Sequence, residues 1–359
     1  MVLKEIELTN FRNYKSQKLE FINGINLFVG DNAQGKTNII ESIYLSAFGK
    51  SYRTVKDMEI IKFNEDFCRI NSKFVNSSDS IEQNIEIFID KNNKKSIKRN
   101  DVKISRLSDH VGNILIVIFS PDSLDIVKGA PAKRREFLDM ICCQLSKSYL
   151  IMHQEYMKCL KLKNSMLKKE IVDKDYLLIL NQKMSEYIEK IVKFRDQVIE
   201  KLLKKAKGIQ RAITEEKEDI ELEYVTDFKN LSSNEINRIL DRYLEIELMK
   251  KSSLKGIQRD DIKIKINNLE VDKFGSQGQS RTALLTLKLA NFEVLIDEKD
   301  DIPILLLDDI MSELDGHRIS FLLKYIEKYQ SIITTTDSSF VENVDNIKIS
   351  KVLNGRLEI

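Results

Sequence analysis

A glycine-rich segment followed by lysine and threonine carries the strongest chemical signal in this chain. It reads Gly30-Asp31-Asn32-Ala33-Gln34-Gly35-Lys36-Thr37, with Asn38 next, and it stands between a strand-like apolar stretch and a run with helical spacing. The glycines let backbone amides wrap a phosphate, the Lys36 ammonium offsets β- and γ-phosphate charge, and the Thr37 hydroxyl can bind Mg²⁺. Because a strand before and a helix after distinguish a phosphate loop from a chance match, the segment predicts a site for ATP and Mg²⁺.

Two adjacent carboxylates follow a very apolar stretch nearer the C-terminus. Residues 304–307 read Ile-Leu-Leu-Leu, and Asp308 and Asp309 come directly after them. A buried strand would deliver both carboxylates at its C-terminal end, where ligands bind in open α/β sheets. We expect Asp308 to hold Mg²⁺, directly or through water. Asp309 is the candidate base that polarises the attacking water, with Lys36 as its catalytic partner; a structural carboxylate is the alternative.

A third segment places small and amide-bearing residues at the start of a predicted helix. Ser276, Gln277, Gly278 and Gln279 precede an apolar helical run, and a helix N-terminus favours an anion. An ordinary helix cap would look the same. Combined with the other two segments, it resembles the signature motif of ABC-type ATPases, and residues 312–315, which end in Asp315, resemble their D-loop. In that class these motifs contact the nucleotide of a second subunit, which implies a homodimer.

The elements that must position these residues follow from the apolar pattern. Residues 3–29 and 68–90 are strand-like, 114–119 reads as a buried strand, and 132–211 has helical spacing almost throughout. The phosphate-loop strand and the stretch 304–307 must share one sheet, since neither half holds a complete site. We predict an α/β fold with an ABC-type ATPase head, built from a mixed sheet with flanking antiparallel strands. The predicted division is a head in two parts, 1–131 and 256–359, with a helical arm, 132–255, inserted.

Composition narrows the class of protein further. The 359 residues include 32% charged residues and carry a net charge of only +2, yet lysine and arginine cluster in short runs. Such runs are solvated helix faces or, together, a surface for a polyanion. The four cysteines and three histidines show no zinc or disulfide spacing. The apolar run 114–119 is too short to cross a bilayer, so we expect a cytoplasmic protein without a membrane partner.

Four further blocks of sequence narrow the family. They read LTNFRNY at 8–14, GKSYRT at 49–54, SPDSLDIVKG at 120–129 and RREFLD at 134–139. With SQGQ at 276–279 and LDD at 307–309, they resemble the RecF family of bacterial DNA-repair ATPases from the first strand to the last.

Two departures from the family pattern stand out. Gly256-Ile257-Gln258-Arg259-Asp260-Asp261 lacks the family's proline and histidine, and residues 334–337 lack the histidine usual in ABC ATPases, so a threonine or Asp337 is the candidate contact to the γ-phosphate.

The resemblance implies a specific function. ATP binding would close a homodimer on duplex DNA near gaps or single-strand junctions in gap repair, replication restart and the SOS response, and slow, DNA-stimulated hydrolysis would release it. RecR, RecO and the recombinase RecA would be the partners. Candidates for contact with the DNA backbone are Lys50, Arg53, Lys133, Arg134 and Arg135. For Arg134 and Arg135 the alternative is pairing with Glu136 or Asp139. Other readings are an SMC-like or overcoming-lysogenisation-like DNA ATPase, a transporter subunit or a P-loop kinase.

Overall fold

The computed structural model describes residues 1–77, 79–341 and 345–358. They form two compact units, of which the first comprises Met1–Ser123 and Asn291–Ile359 and the second comprises Leu124–Ala290. Within the described residues, no helix is both long and apolar enough to cross a membrane.

The elements follow one another along the chain. The strands are β1 Val2–Phe11, β2 Tyr14–Glu20, β3 Ile25–Val29, β4 Phe67–Val75, β5 Glu82–Asp90, β6 Lys95–Arg99, β7 Val102–Lys103, β8 Ile116–Phe119, β9 Ile220–Val225, β10 Asp261–Ile266, β11 Leu269–Glu270, β12 Ile304–Asp308, β13 Ser331–Thr335, β14 Ile347–Leu353 and β15 Arg356–Glu358. The helices are α1 Lys36–Phe48, α2 Asp125–Lys128, α3 Pro131–Leu145, α4 Lys147–Met166, α5 Lys174–Thr214, α6 Ser233–Lys250, α7 Val271–Phe274, α8 Gln277–Lys299 and α9 Gly316–Ile326.

A largely parallel sheet forms the centre of the first unit. Its strand order is β15-β14-β3-β13-β12-β8, with only the β14–β15 pair antiparallel. All residues of β12 are buried, as expected for a parallel strand covered on both faces. The prediction that the phosphate-loop strand and the strand before Asp308 share one sheet is confirmed, and β13 lies between them.

An antiparallel sheet completes the first unit. Its order is β2-β1-β4-β5-β6-β7, and β4 and β5 alternate buried with more exposed residues. That alternation is typical of a sheet with one face on a core and one toward solvent. The predicted strands in 3–29 and 68–90 are thereby confirmed.

The second unit combines long helices with a small sheet of order β11-β10-β9. The helix α5 runs for 41 residues and buries an apolar stripe that includes Leu177, Met184, Ile191 and Leu202. The predicted arm, 132–255, lies inside this unit, but the unit also includes 256–290, which the sequence analysis assigned to the head. The reason is that β10 pairs along its length with β9, which ties the later segment to the helices.

A buried polar network explains what the residues 256–261 do in this unit. Arg195, 1% exposed, donates to Asp139 Oδ1 at 2.7 Å and to Asp260 Oδ2 at 2.8 Å. The Tyr224 hydroxyl donates to the same Asp260 oxygen at 2.6 Å. Gln258, at the position of the family's histidine, accepts from the Tyr156 hydroxyl. Buried charges need such partners, so this block anchors the second unit internally.

His110, in the first unit, predicts how stability depends on pH. Its side chain is buried, and burial lowers its pKa from 6.5 to about 4. Between these values the unfolded chain binds the proton and the folded chain does not, so stability is lost as pH falls from 6.5 toward 4. We expect the unfolding free energy to lose about 3 kcal/mol over this window from His110 alone.

Urea titrations of wild type and His110→Leu at pH 7 and pH 4 measure this contribution. The difference in unfolding free energy between the two pH values should shrink in His110→Leu, because leucine has no group that binds a proton in this range. Equal pH dependence in wild type and His110→Leu would contradict the prediction.

Candidate nucleotide site

The loop between β3 and α1 has the backbone geometry that a phosphate requires. Gly35 precedes α1 with φ of 114°, a conformation that favours glycine. Gly30 lies so close to β14 that an added Cβ would meet the Val352 carbonyl oxygen at 2.4 Å. Among the described residues, the backbone N–H groups of 31–35 have no hydrogen-bond partner. They are therefore available to an anion at the N-terminus of α1.

The Lys36 side chain folds back over the same loop. It is only 6% exposed, and its ammonium donates to the carbonyl oxygens of Gly30 and Asp31, the latter at 2.8 Å. Burial lowers the pKa of Lys36, and the charges of Asp309, Asp31 and Asp308 oppose that effect. The ammonium is thus held where a β- or γ-phosphate oxygen could replace the carbonyl acceptors.

Asp308 is surrounded by hydroxyl donors. Its Oδ1 accepts from the Thr37 hydroxyl and from the Thr334 hydroxyl, each at 2.9 Å, and its Oδ2 accepts from the Tyr52 hydroxyl at 3.0 Å. The side chain is 3% exposed. The structure therefore brings together the phosphate-loop threonine and the carboxylate at the end of β12, as predicted from the sequence.

Asp309 follows with a left-handed backbone, φ 52°. Its N–H donates to the Thr334 carbonyl and hydroxyl oxygens, both at 3.1 Å, which fixes the turn after β12. Its Oδ1 is buried and has no hydrogen-bond partner among the described residues. Burial raises the pKa of this carboxyl, and the Lys36 charge opposes the rise. A buried acceptor without a partner is what a bound water or ligand would satisfy.

The oxygen atoms at this site fit Mg²⁺. This ion is usually held by one or two carboxylates, water and substrate phosphates rather than by a cage of protein ligands. The Thr37 hydroxyl and the Asp308 carboxylate already touch. No group of three or more His, Cys, Asp or Glu in the described part of the chain could hold a metal. Thr37, Asp308 and a nucleotide phosphate are thus the fitting set.

Tyr52 is a site residue whose role sequence reasoning missed. Its position lies in the block 49–54, which carried the resemblance but suggested no contact with Asp308. Burial and the Asp308 charge raise the pKa of Tyr52 far above its usual range, so it stays a donor. We expect Tyr52→Phe to lower the unfolding free energy by about 1.5–3 kcal/mol, the net contribution of a hydrogen bond to a charged group.

Urea denaturation measures the loss. Tyr176→Phe, at an exposed tyrosine, controls for the removal of a hydroxyl and should leave stability near that of wild type. A Tyr52→Phe protein as stable as wild type would show that this hydroxyl does not hold Asp308.

A second group of contacts ties the block 8–14 to the phosphate loop and α1. The buried Glu41 on α1 accepts two bonds from Arg12, at 2.6 and 2.9 Å. Asn13 donates to the Gln34 carbonyl at 3.0 Å and accepts from Asn38 at 2.8 Å. The side-chain amide of Asn38, which is also a predicted ATP-site residue, thus supports the loop through Asn13. The block 8–14 and the phosphate loop could both be recognised in the sequence, but their contact with each other and with α1 could not.

The signature residues lie in the second unit. Residues 275–279, which comprise the two residues before α8 and its first three residues, are called the signature loop. The Ser276 hydroxyl oxygen accepts from the Gln279 N–H at 3.1 Å, and the Gln279 side-chain oxygen accepts from the Ser276 N–H at 3.0 Å. This reciprocal pair is a capping box at the start of α8. Ser276 and Gln277 are exposed, and Gly278 and Gln279 are half-buried. The serine proton remains for an outside acceptor, because the bond from Gln279 uses only the oxygen.

Two other predicted contacts have local partners. Asp315 caps α9 by accepting from the Arg318 N–H at 3.0 Å and is 56% exposed. Asp337 accepts from Ser339, and Thr335 donates to the Asp337 carbonyl at 2.9 Å. Thr334, by contrast, lies against Asp308. Of the predicted candidates for contact with the γ-phosphate, Thr334 is therefore the one that lies beside Asp308.

The five candidate DNA contacts differ in how free their side chains are. Arg134 is buried and makes two bonds to Asp261, at 2.7 and 2.9 Å. Arg135 donates to the Asp260 carbonyl at 2.8 Å. Arg53, 40% exposed, pairs with Glu41 and Asn38, while Lys50 and Lys133 are exposed. Both arginines of the RREFLD block thus have internal partners, but these are Asp261 and Asp260 rather than Glu136 or Asp139.

Comparisons with known proteins add to this geometry. The chain matches the family model "RecF/RecN/SMC N terminal domain" over residues 2–357. It is 40% identical over 359 residues to the DNA replication and repair protein RecF of Clostridium novyi, with 99% of each chain covered. It is 37% identical over 366 residues to the protein of that name from Clostridium perfringens, with 100% of each covered.

Solved structures give the same picture. Two structures of the recombination mediator protein RecF in the RecFOR pathway, RecF-ATPrS and RecF-ATP, have TM-scores of 0.92 and 0.90 and identities of 38% and 37%. They cover 99% of this chain, and 97% and 98% of their own chains. An Smc head bound to the C-winged helix domain of ScpA has a TM-score of 0.61 at 16% identity and is similar in fold alone. The predicted α/β class with an ABC-type ATPase head is confirmed.

Proposed function

Because this chain belongs to the RecF family, we propose that it is an ATP-dependent DNA-binding protein of recombinational gap repair and replication restart. The observation that carries the proposal is the 2.9 Å contact between Thr37 and Asp308. It joins the phosphate loop to the acidic end of β12, the arrangement in which P-loop ATPases hold Mg²⁺ and nucleotide phosphates. The relatives solved as RecF-ATP and RecF-ATPrS support ATP as the nucleotide.

The proposed reaction is slow ATP hydrolysis that acts as a switch. The N–H groups of 31–35 and the Lys36 ammonium would bind the phosphates, and Thr37 and Asp308 would hold Mg²⁺, which neutralises phosphate charge. Asp309 would orient and polarise the attacking water through its carboxylate, whose Oδ1 is buried and has no hydrogen-bond partner within the described part of the chain. Hydrolysis would then release the protein from DNA.

Nucleotide binding would also control assembly. The N–H groups of 31–35 and the Lys36 ammonium would bind one side of the nucleotide. The exposed Ser276 has a hydroxyl proton available at the start of α8. We propose that the signature loop and Asp315 of a second copy contact the bound ATP, which makes the ATP-bound form a homodimer. Each nucleotide would be sandwiched between two copies.

The DNA-binding proposal rests on fewer side chains than the sequence suggested. Lys50 and Lys133 are exposed, and Arg53 is partly exposed, so these remain candidates for phosphate contact. Arg134 and Arg135 are left out because their guanidinium groups have internal acceptors. The clamp on gapped or junction DNA, the partners RecR, RecO and RecA, and a role in the cytoplasm are part of the same proposal, supported by the family.

One experiment tests this function. ATP hydrolysis is measured without DNA, with duplex and with gapped duplex, alongside sedimentation with and without ATP. We expect a slow rate that gapped duplex raises most, and a dimer only with ATP. DNA affinity with ATP should fall steeply with salt, because phosphate contacts release counterions. A protein that stays monomeric with ATP and ignores DNA would contradict the proposal, and a flat salt response would point to a partner other than DNA.

A further inference from the structure

The signature loop is held by side chains that lie outside the motif. The first is Lys128, at the end of α2, whose ammonium donates to the carbonyl oxygens of Val271 at 2.8 Å and Gly275 at 2.7 Å. These carbonyls belong to the last turn before Ser276, where the Gly275 N–H also donates to Val271 at 3.0 Å. A charged donor shared by two carbonyls fixes the path by which the chain enters α8.

The second side chain is Glu218, in the connection between α5 and β9. Its Oε1 accepts from the Gln279 side-chain amide at 3.0 Å. The amide oxygen of Gln279 therefore points the other way, toward the Ser276 N–H that it caps at 3.0 Å. Because an amide can present only one oxygen, Glu218 determines the orientation on which the capping box depends.

Glu218 is itself held from the interior. Its Oε2 accepts from the side-chain amide of Gln210 at 3.0 Å, and Gln210 is fully buried. The Gln210 oxygen accepts from the Thr286 hydroxyl at 2.7 Å. Since Thr286 lies on α8, this chain of bonds leaves the helix at Gln279 and returns to it two turns later. Both carboxylate oxygens of Glu218 are thus engaged by amide donors.

We propose that Lys128 and Glu218 are positioning residues that hold the signature loop in the conformation that receives the γ-phosphate of another copy's ATP. This inference rests on the proposed ATP-dependent dimer. Lys128 fixes the backbone before Ser276. Glu218 fixes the side-chain amide of Gln279, the residue whose backbone N–H donates to the serine oxygen. Lys128 belongs to the block 120–129 that carried the family resemblance, and this contact gives that residue a structural role. The carbonyl of the neighbouring Gly129 accepts from Arg134 at 2.8 Å.

Two variants test the proposal on the full chain. Lys128→Met removes the donor to both carbonyls, and Glu218→Gln leaves one acceptor oxygen for two amide donors. We expect the dimer association constant with ATP to fall about tenfold in each. ATP affinity at protein concentrations where the chain is monomeric should not change, because the phosphate loop is intact. Amide hydrogen exchange of residues 275–279 without nucleotide should become severalfold faster.

The controls separate positioning from folding. Lys128→Arg keeps the donors and should restore association, whereas Lys158→Met and Glu221→Gln alter exposed residues of the same unit and should behave as wild type. Wild-type association and exchange in Lys128→Met and Glu218→Gln would overturn the proposal, as would a fall in melting temperature that accounts for the whole effect. If the wild type itself fails to associate with ATP, the proposed function is wrong, and the exchange measurement alone then decides whether these residues hold the loop.

Discussion

Lys36→Met is expected to abolish ATP-driven association and to lower ATP hydrolysis by about 10²–10³-fold, the usual cost of removing a donor that stabilises transition-state charge. The Lys36 side chain is buried and its ammonium is already aligned by the Gly30 and Asp31 carbonyls, so methionine removes a positive charge that is held in place over the phosphate loop. Sedimentation with and without ATP, together with a hydrolysis assay, measures both effects.

Lys91→Met is the matched control. Lys91 lies in the same unit, is exposed and pairs only at the surface with Asp66, so its substitution should leave association and hydrolysis near wild type. If Lys36→Met still dimerises with ATP to the wild-type extent, the phosphate loop is not what couples the nucleotide to assembly.

Asp309→Asn is expected to retain ATP binding and slow hydrolysis by about 10²-fold or more, because an amide cannot accept the proton of the attacking water. Asparagine suits this test, since it tolerates the left-handed backbone of Asp309 better than alanine does. The prediction follows that the variant stays dimeric with ATP for longer than wild type.

Single-turnover hydrolysis and nucleotide binding measure the two steps separately. Asp66→Asn removes an exposed carboxylate of the same unit and should leave both unchanged. Hydrolysis at the wild-type rate in Asp309→Asn would assign Asp309 a structural role, the alternative that the sequence left open.

Much of the fold could be predicted because it depends on local patterns. The apolar stretch 304–307, flanked by Asp308, fixes a buried strand, and the glycine spacing before Lys36 fixes the turn into α1. The division at 255 could not be read in the same way. The pairing of β10 with β9 joins residues far apart along the chain, and no local signal in either strand names its partner.

The residues of the candidate site also differ in whether a local sequence pattern reveals them. Thr37 and Asp308 were predictable because each belongs to a motif with its own spacing. The sequence named Thr334 among the candidate contacts to the γ-phosphate, but the contacts of Tyr52 and Thr334 with Asp308 were not predictable. They exist only after strands and loops from distant parts of the chain meet. Arg134 shows the reverse case. The basic run 133–135 suggested a surface for the DNA backbone, but Arg134 is buried and paired with Asp261.

The three hydroxyls around Asp308 have a consequence for charge balance. A lysine or arginine in their place would stabilise the buried carboxylate by cancelling its charge, and a divalent cation would then gain little by binding. Neutral hydroxyls from Thr37, Thr334 and Tyr52 donate hydrogen bonds that make burial of the carboxylate tolerable, and they add no positive charge. A metal bound together with the nucleotide would then be the cation that pairs with the carboxylate at the end of β12.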